Sequence, residues 1–234
     1  MRKYTRALNA AFQLTLPVLL GYTFLGSAYG ILMGSRGNSI PLTVFMSVLV
    51  YAGSMQFAAV DFFSGGFSYL SIAVMTLMIN IRHMFYGLSM LDKFKGAGKK
   101  KPYMIFSLTD ETYSLLCSLE PPLDIDKNLL YLFIAGLNHT YWVVGSLIGV
   151  LIGSAGLFNA TGVDFAMTAL FIVIAVEQWK EKRNRLPALA GITSSIICLL
   201  VFGPSRFILP SMLVMLLILT LTRSRIEKEE SADA

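Results

Sequence analysis

From Phe67 to Leu91 the chain runs far enough to cross a bilayer, and Arg82 is its one lysine, arginine or carboxylate. Hydrocarbon offers the backbone no water, so such a run folds as a helix. A charge at the bilayer centre costs roughly 2.5–3.5 kcal/mol even on a lenient insertion scale. Arg82 must therefore face something polar, as must its neighbours in Asn80-Ile81-Arg82-His83-Met84-Phe85-Tyr86-Gly87-Leu88-Ser89. Helical spacing puts Asn80, His83 and Gly87 on one face and Arg82, Tyr86 and Ser89 on the next. The competing reading is a helix end, with Arg82 snorkelling to the headgroups.

Other apolar runs repeat the pattern: Phe12–Met33, Leu42–Phe63, Leu129–Ile152, Val163–Val176, Leu186–Val201 and Phe207–Leu221. Hydrophobic residues make up 55% of the 234 and charged ones 14%, well below the quarter usual in soluble domains. The expected fold is all-α, a polytopic membrane protein of six to eight segments in one domain over residues 1–226. A disordered polar tail follows at 227–234. The basic residues Arg2, Lys3 and Arg6 precede an apolar run too long for a signal-peptide core, so an uncleaved first helix is expected. The net charge of +5 reads as loop bias and excludes a nucleic-acid footprint. Cys117 and Cys198 have neither metal nor disulfide spacing, and no cofactor is expected.

Tyr103–Leu119 is the ambiguous stretch, because Thr109-Asp110-Glu111-Thr112 lies in its middle. Adjacent carboxylates do not suit a lipid-exposed span, but a re-entrant helix covered by protein or water tolerates them. Gly26-Ser27-Ala28-Tyr29-Gly30-Ile31-Leu32-Met33-Gly34-Ser35 and Gly145-Ser146-Leu147-Ile148-Gly149-Val150-Leu151-Ile152-Gly153-Ser154 share the pattern G-S-x-x-G-x-L-x-G-S. This points to a duplication with halves near 10–120 and 127–222, and a weaker echo pairs Arg82 with Arg206. The lysines at 93, 95, 99, 100 and 101 mark a cytoplasmic loop. Three full spans before them would put the basic N-terminus outside. A re-entrant early segment removes that conflict, and two inverted repeats with broken or re-entrant helices are the expected arrangement.

A transported zwitterion needs a cation for its carboxylate, an acid for its ammonium and an apolar pocket. Arg82 suits the carboxylate, and Asp110 or Glu111 the ammonium. Gln56 and Asn80 are further candidates for substrate contact. His83, whose ordinary titration range lies near working pH, and Asp110 are the candidates for a proton relay. Asp61 and Asp164 sit at segment ends and read as solvated termini, and His139 as a packed histidine. No nucleophile–base pair, metal-ligand spacing or phosphate loop is present, so an enzyme is not expected. The alternatives kept are an intramembrane enzyme and a non-catalytic membrane scaffold.

The stretch Asn80–Ser89 resembles the R-H-x-x-Y-G signature of the AzlC family. Ala52-Gly53-Ser54-Met55-Gln56-Phe57 resembles its A-G-x-x-Q-F element, and Leu108-Thr109-Asp110-Glu111 its L-T-D-E element. Asp164–Phe171 is similar to a looser late motif. The resemblance implies the large subunit of a multi-pass exporter of branched-chain amino acids in the cytoplasmic membrane. It also implies a small hydrophobic partner of the AzlD type. The loop bias generates a direct test. Lys99→Cys is expected to resist an impermeant thiol reagent in intact cells, and ready labelling from outside would reverse the orientation.

Overall fold

A computed structural model describes residues 2–63, 65–122, 124–156, 162–163, 165–180, 185–203, 207, 210–211, 213–215 and 217–222. Asp164, Arg206 and the tail 227–234 lie outside the described residues. The chain divides into two compact units, 1–167 and 168–234.

The first unit is built on two long helices, α1 (Arg2–Ser35) and α7 (Lys127–Ser154). Pro17 lies inside α1 and does not begin it. The two glycine patterns face each other along the pair. A Cβ on Gly26 would sit 2.9 Å from the Trp142 carbonyl oxygen, and one on Gly34 2.7 Å from the Ser154 nitrogen. Gly30 meets the Ser146–Val150 backbone even more closely. In return Gly145 faces Tyr22 and Thr23, Gly149 faces Ser27, and Gly153 faces Ile31. Small residues four apart let two backbones touch, and the packing of that seam holds the pair. Numbers rise together on both helices, so α1 and α7 run parallel and in register. Ion pairing at their starts agrees, with Lys3 Nζ 2.9 Å from Asp126 Oδ2. Asp126 also caps α7 by accepting from the Leu129 N–H at 3.0 Å. The Lys3 hydrogen bond and then the Leu129 N–H hold its carboxyl below the usual range.

This geometry corrects one expectation. Inverted halves would place equivalent helices antiparallel, whereas the two motif-bearing helices run the same way. Any two-fold relating Gly30 to Gly149 therefore lies along the helices, not across them.

Between α1 and α7 lie two helical hairpins and one long helix. In the first hairpin, α2 (Ile40–Leu49) descends along α7 and α3 (Gly53–Phe63) returns. Gln56 Nε2 donates to Ser47 Oγ across the hairpin at 3.0 Å. At the tip Tyr51 takes φ +43, a left-handed value that costs a non-glycine residue of order 1–3 kcal/mol. Burial and the His139 ring, 4.2 Å away between centroids, hold it there. The hairpin's far end returns to the end of α1, where Arg36 Nη1 meets Asp61 Oδ1 at 3.3 Å. The run Leu42–Phe63, expected as one segment, is thus a hairpin of two short helices.

Helix α4 (Tyr69–Ser89) then runs back toward the start of α1, ending beside Met90 and Phe94, which pack with Ala11, Leu130 and Tyr131. The second hairpin enters from that end. Its arms are α5 (Lys101–Phe106) and α6 (Asp110–Ser118), so Tyr103–Leu119 turns back at Ser107–Thr109. Lys93 Nζ closes it by donating to the carbonyls of Leu116 at 2.5 Å and Cys117 at 2.8 Å, a cation at a helix C-terminus. The basic N-terminus and the lysine loop consequently share one end of the unit, which removes the sequence conflict.

In the second unit, α9 (Arg185–Phe202) buries Ala190, Ser194 and Cys198 by i, i+4 spacing, and Gly191 abuts Met215. Helix α8 covers Phe165–Lys180. Among the described residues three helices are long and apolar enough to cross a membrane: Lys3–Ser35, Lys127–Ser154 and Arg185–Phe202. Leu20 and Phe24 of α1 are 75% and 69% exposed, an apolar flank suited to lipid.

Substitutions on the seam test this packing. Gly149→Ala forces a methyl into the Ser27 backbone and is expected to destabilise by about 1–3 kcal/mol, as overpacking does. Gly21→Ala meets nothing within 4 Å and is expected to be neutral or stabilising by up to about 1 kcal/mol. Thermal unfolding in detergent distinguishes the signs, and equal effects at both glycines would contradict the close approach.

Candidate functional site

The two hairpin tips converge on α4. Ser54 is on the first turn of α3, and Asp110 and Glu111 are on the first turn of α6. Thr109 caps α6 with Oγ1 accepting from the Thr112 N–H at 3.3 Å. Carboxylates in a first turn also suit the positive end of the helix dipole. Arg82 joins the tips. Its Nη1 lies 2.7 Å from Asp110 Oδ2 and its Nη2 donates to Ser54 Oγ at 2.8 Å. Both charged side chains are 33% exposed, so the pair borders open space and is not sealed in the core. Arg82 Nε is buried with no hydrogen-bond partner. Asp110 is held from its other oxygen, which accepts from Tyr86 at 2.6 Å. Tyr86 stacks on Tyr113 with centroids 4.3 Å apart.

Successive helix positions point about 100° apart, so the neighbouring acid faces another helix. Glu111 Oε2 accepts from the Tyr22 hydroxyl of α1 at 2.6 Å, and that hydroxyl is also bonded to Thr109 Oγ1. The sequence pairs Asp110 and Glu111 as interchangeable candidates, whereas the structure separates them.

Gln56 is fully buried and its amide is occupied at both ends. Nε2 bonds Ser47, and Oε1 accepts from Trp142 Nε1 at 2.9 Å. It braces the first hairpin against α7. Asn80 Oδ1 is buried without a partner. His83 turns Nδ1 to the Asn80 carbonyl at 3.2 Å and sets its ring edge-on to Tyr86. His139 is packed, with Nδ1 3.1 Å from the Tyr103 hydroxyl. Ser54, Tyr22 and Thr109 were not singled out by sequence reasoning. Thr109 carries a readable signal, a threonine capping an acidic first turn, but a lone tyrosine such as Tyr22 in an apolar helix carries none. Among the described residues no cluster of three His, Cys, Asp or Glu side chains suits a metal ion.

Because Arg82 ties both tips, changes on the two hairpins should not be independent. Ser54→Ala and Asp110→Asn are expected to couple by about 0.5–3 kcal/mol in a double-mutant cycle read by thermal unfolding. Strict additivity would deny the bridge.

Comparison with known proteins identifies the family. The family model described as "AzlC protein" matches residues 17–155, from Pro17 of α1 through the end of α7. The chain is 46% identical over 224 residues to the branched-chain amino acid transport protein AzlC of Bacillus subtilis, covering 96% of this chain and 88% of that one. An uncharacterized membrane protein of Helicobacter pylori is 38% identical over 227 residues, 97% of this chain and all of the relative. The inner membrane protein YgaZ of Escherichia coli is 28% identical over 194 residues, 76% of this chain and 78% of its own length. No solved structure matches. The match spans both hairpins and the helix that joins them, and on it the chain belongs to the AzlC family of membrane proteins.

Proposed function

We propose that the protein is a secondary exporter of branched-chain amino acids, driven by inward proton movement. In this reading it works in the cytoplasmic membrane with a small AzlD-type hydrophobic subunit. The observation that carries the reading is the bridge from Arg82 to the tips of two hairpins that enter from opposite ends of the unit. Discontinuous helices meeting near mid-depth are how many secondary transporters build a site. Asp110 holds the guanidinium that a substrate carboxylate would take. The carboxylate displaces it, taking the guanidinium in two places, and the Ser54 hydroxyl adds a third contact. Asp110, released, receives the ammonium. The aliphatic side chain packs on the apolar residues around the tips. Each hairpin shields the site from one side, so alternate opening of the tips passes the substrate across. Protons reach the site through His83, next to Arg82 on α4. Helix α1 with the first hairpin and α4 with the second run in opposite senses, and we take this pairing as the inverted element of a six-to-eight-segment fold.

The name of the Bacillus subtilis relative supports the substrate class. Arg82→Lys keeps the charge and loses the planar fork. Leucine counterflow in vesicles holding the chain and its partner is expected to fall at least tenfold, with normal abundance in the membrane. Normal counterflow in that variant would reject Arg82 as the carboxylate site.

A further inference from the structure

We propose that Glu111 carries the coupling proton, while Asp110 remains an anion for Arg82 and the substrate. This rests on the export reading above and assigns its driving step to one side chain. Asp110 has a guanidinium at 2.7 Å, so protonating it would break an ion pair. Glu111 has no lysine or arginine at ion-pair distance among the described residues. Its partner is the Tyr22 hydroxyl at 2.6 Å. The groups around it are Tyr22 on α1, Tyr51 at the first hairpin's tip, His83 on α4 and Asp110 on its own helix. Arg82 is engaged by Asp110 and Ser54. Glu111 is therefore the acid in the site that gains a proton without losing an ion pair.

A second observation concerns what lies behind it. Tyr22 is bonded to Thr109, Thr109 Oγ1 to Thr112 Oγ1 at 3.0 Å, and Thr112 Oγ1 accepts from Asn138 Nδ2 at 3.0 Å. This chain joins α1, α6 and α7, and all four residues are buried. Asn138 is wholly buried, yet its Oδ1 has no partner. Tyr22 donates to the Glu111 carboxylate, while Thr109 donates away from it to Thr112. When Glu111 takes a proton, its new O–H donates to Tyr22, Tyr22 to Thr109, Thr109 to Thr112 and Thr112 to the Asn138 oxygen once that amide turns. Protonation is thus registered across three helices at the tip of the second hairpin. One proton enters on Glu111 and is released on the opposite side as one zwitterion leaves. The zwitterion has no net charge, so each cycle moves one positive charge inward and export is electrogenic.

The test uses inside-out vesicles containing the chain and its partner. Glu111→Gln keeps the shape and an acceptor for Tyr22. It is expected to retain labelled-leucine exchange within about twofold of the unaltered protein. Accumulation driven by an acid lumen should fall at least tenfold. Continued gradient-driven accumulation in E111Q overturns the assignment, as does loss of exchange in a folded E111Q, which would make Glu111 a substrate ligand. Unaltered protein that neither exchanges nor accumulates leucine instead overturns the export reading itself. Should E111Q fail to reach the membrane, Tyr22→Phe decides. Removing the donor to the ionised carboxylate is expected to move the pH midpoint of driven accumulation upward, and an unmoved midpoint overturns the proposal.

Discussion

One guanidinium joins the two hairpins of the first unit. Arg82 lies on a helix of otherwise lipid-compatible character, and its charge is tolerable there because two short helices bring it oxygen atoms. The dependence is mutual. The tips of both hairpins end their helices inside the fold, where backbone groups lack the next turn to pair with. Thr109 and the acids after it satisfy one tip, and Gln56, Ser47 and Trp142 brace the other. Remove the arginine and Asp110 loses its counter-charge and keeps the Tyr86 hydroxyl as its partner, a costlier arrangement for a half-buried carboxylate.

The rest of the first unit divides by stiffness. Along the seam of α1 and α7, backbone touches backbone with no side chain between to change rotamer. The hairpins are attached by side chains: an exposed ion pair at Asp61, lysine-to-carbonyl bonds at Leu116 and Cys117, and aromatic contacts at Tyr51 and Tyr86. Such contacts can be exchanged one for another at small cost, which fits a fixed frame carrying two movable tips.

Much of this was readable before any coordinates. The apolar runs place α4, α7 and α9 within a few residues, because length and hydropathy decide them, whereas α1 begins at Arg2, well before the run at Phe12. The demand that Arg82 meet a carboxylate follows from the cost of an unpaired charge, and Asp110 proves to be the partner. Repeated glycines gave a true signal with a wrong consequence: they mark a contact, but spacing along one helix says nothing of the direction of the other. The turn at Tyr51 was hidden because its nearest glycine, Gly53, begins the next helix, and tertiary contacts hold a left-handed tyrosine that local preference disfavours. The separate fates of Asp110 and Glu111 depend on which helices surround α6, which no local pattern encodes.

The convergence of the tips has an electrical consequence. In the transport reading proposed above, two hairpins that enter from opposite ends of the unit and meet at Arg82 would bring polar, water-accessible surface close to one level from both sides. The insulating layer is then far thinner than the bilayer around it. In that reading most of the membrane potential would drop across the few ångströms around Arg82, Asp110 and Glu111, where a unit charge crossing the whole drop gains about 2.3 kcal/mol per 100 mV. A charge that shifts by the length of one side chain there does electrical work that elsewhere would require crossing the full hydrocarbon thickness.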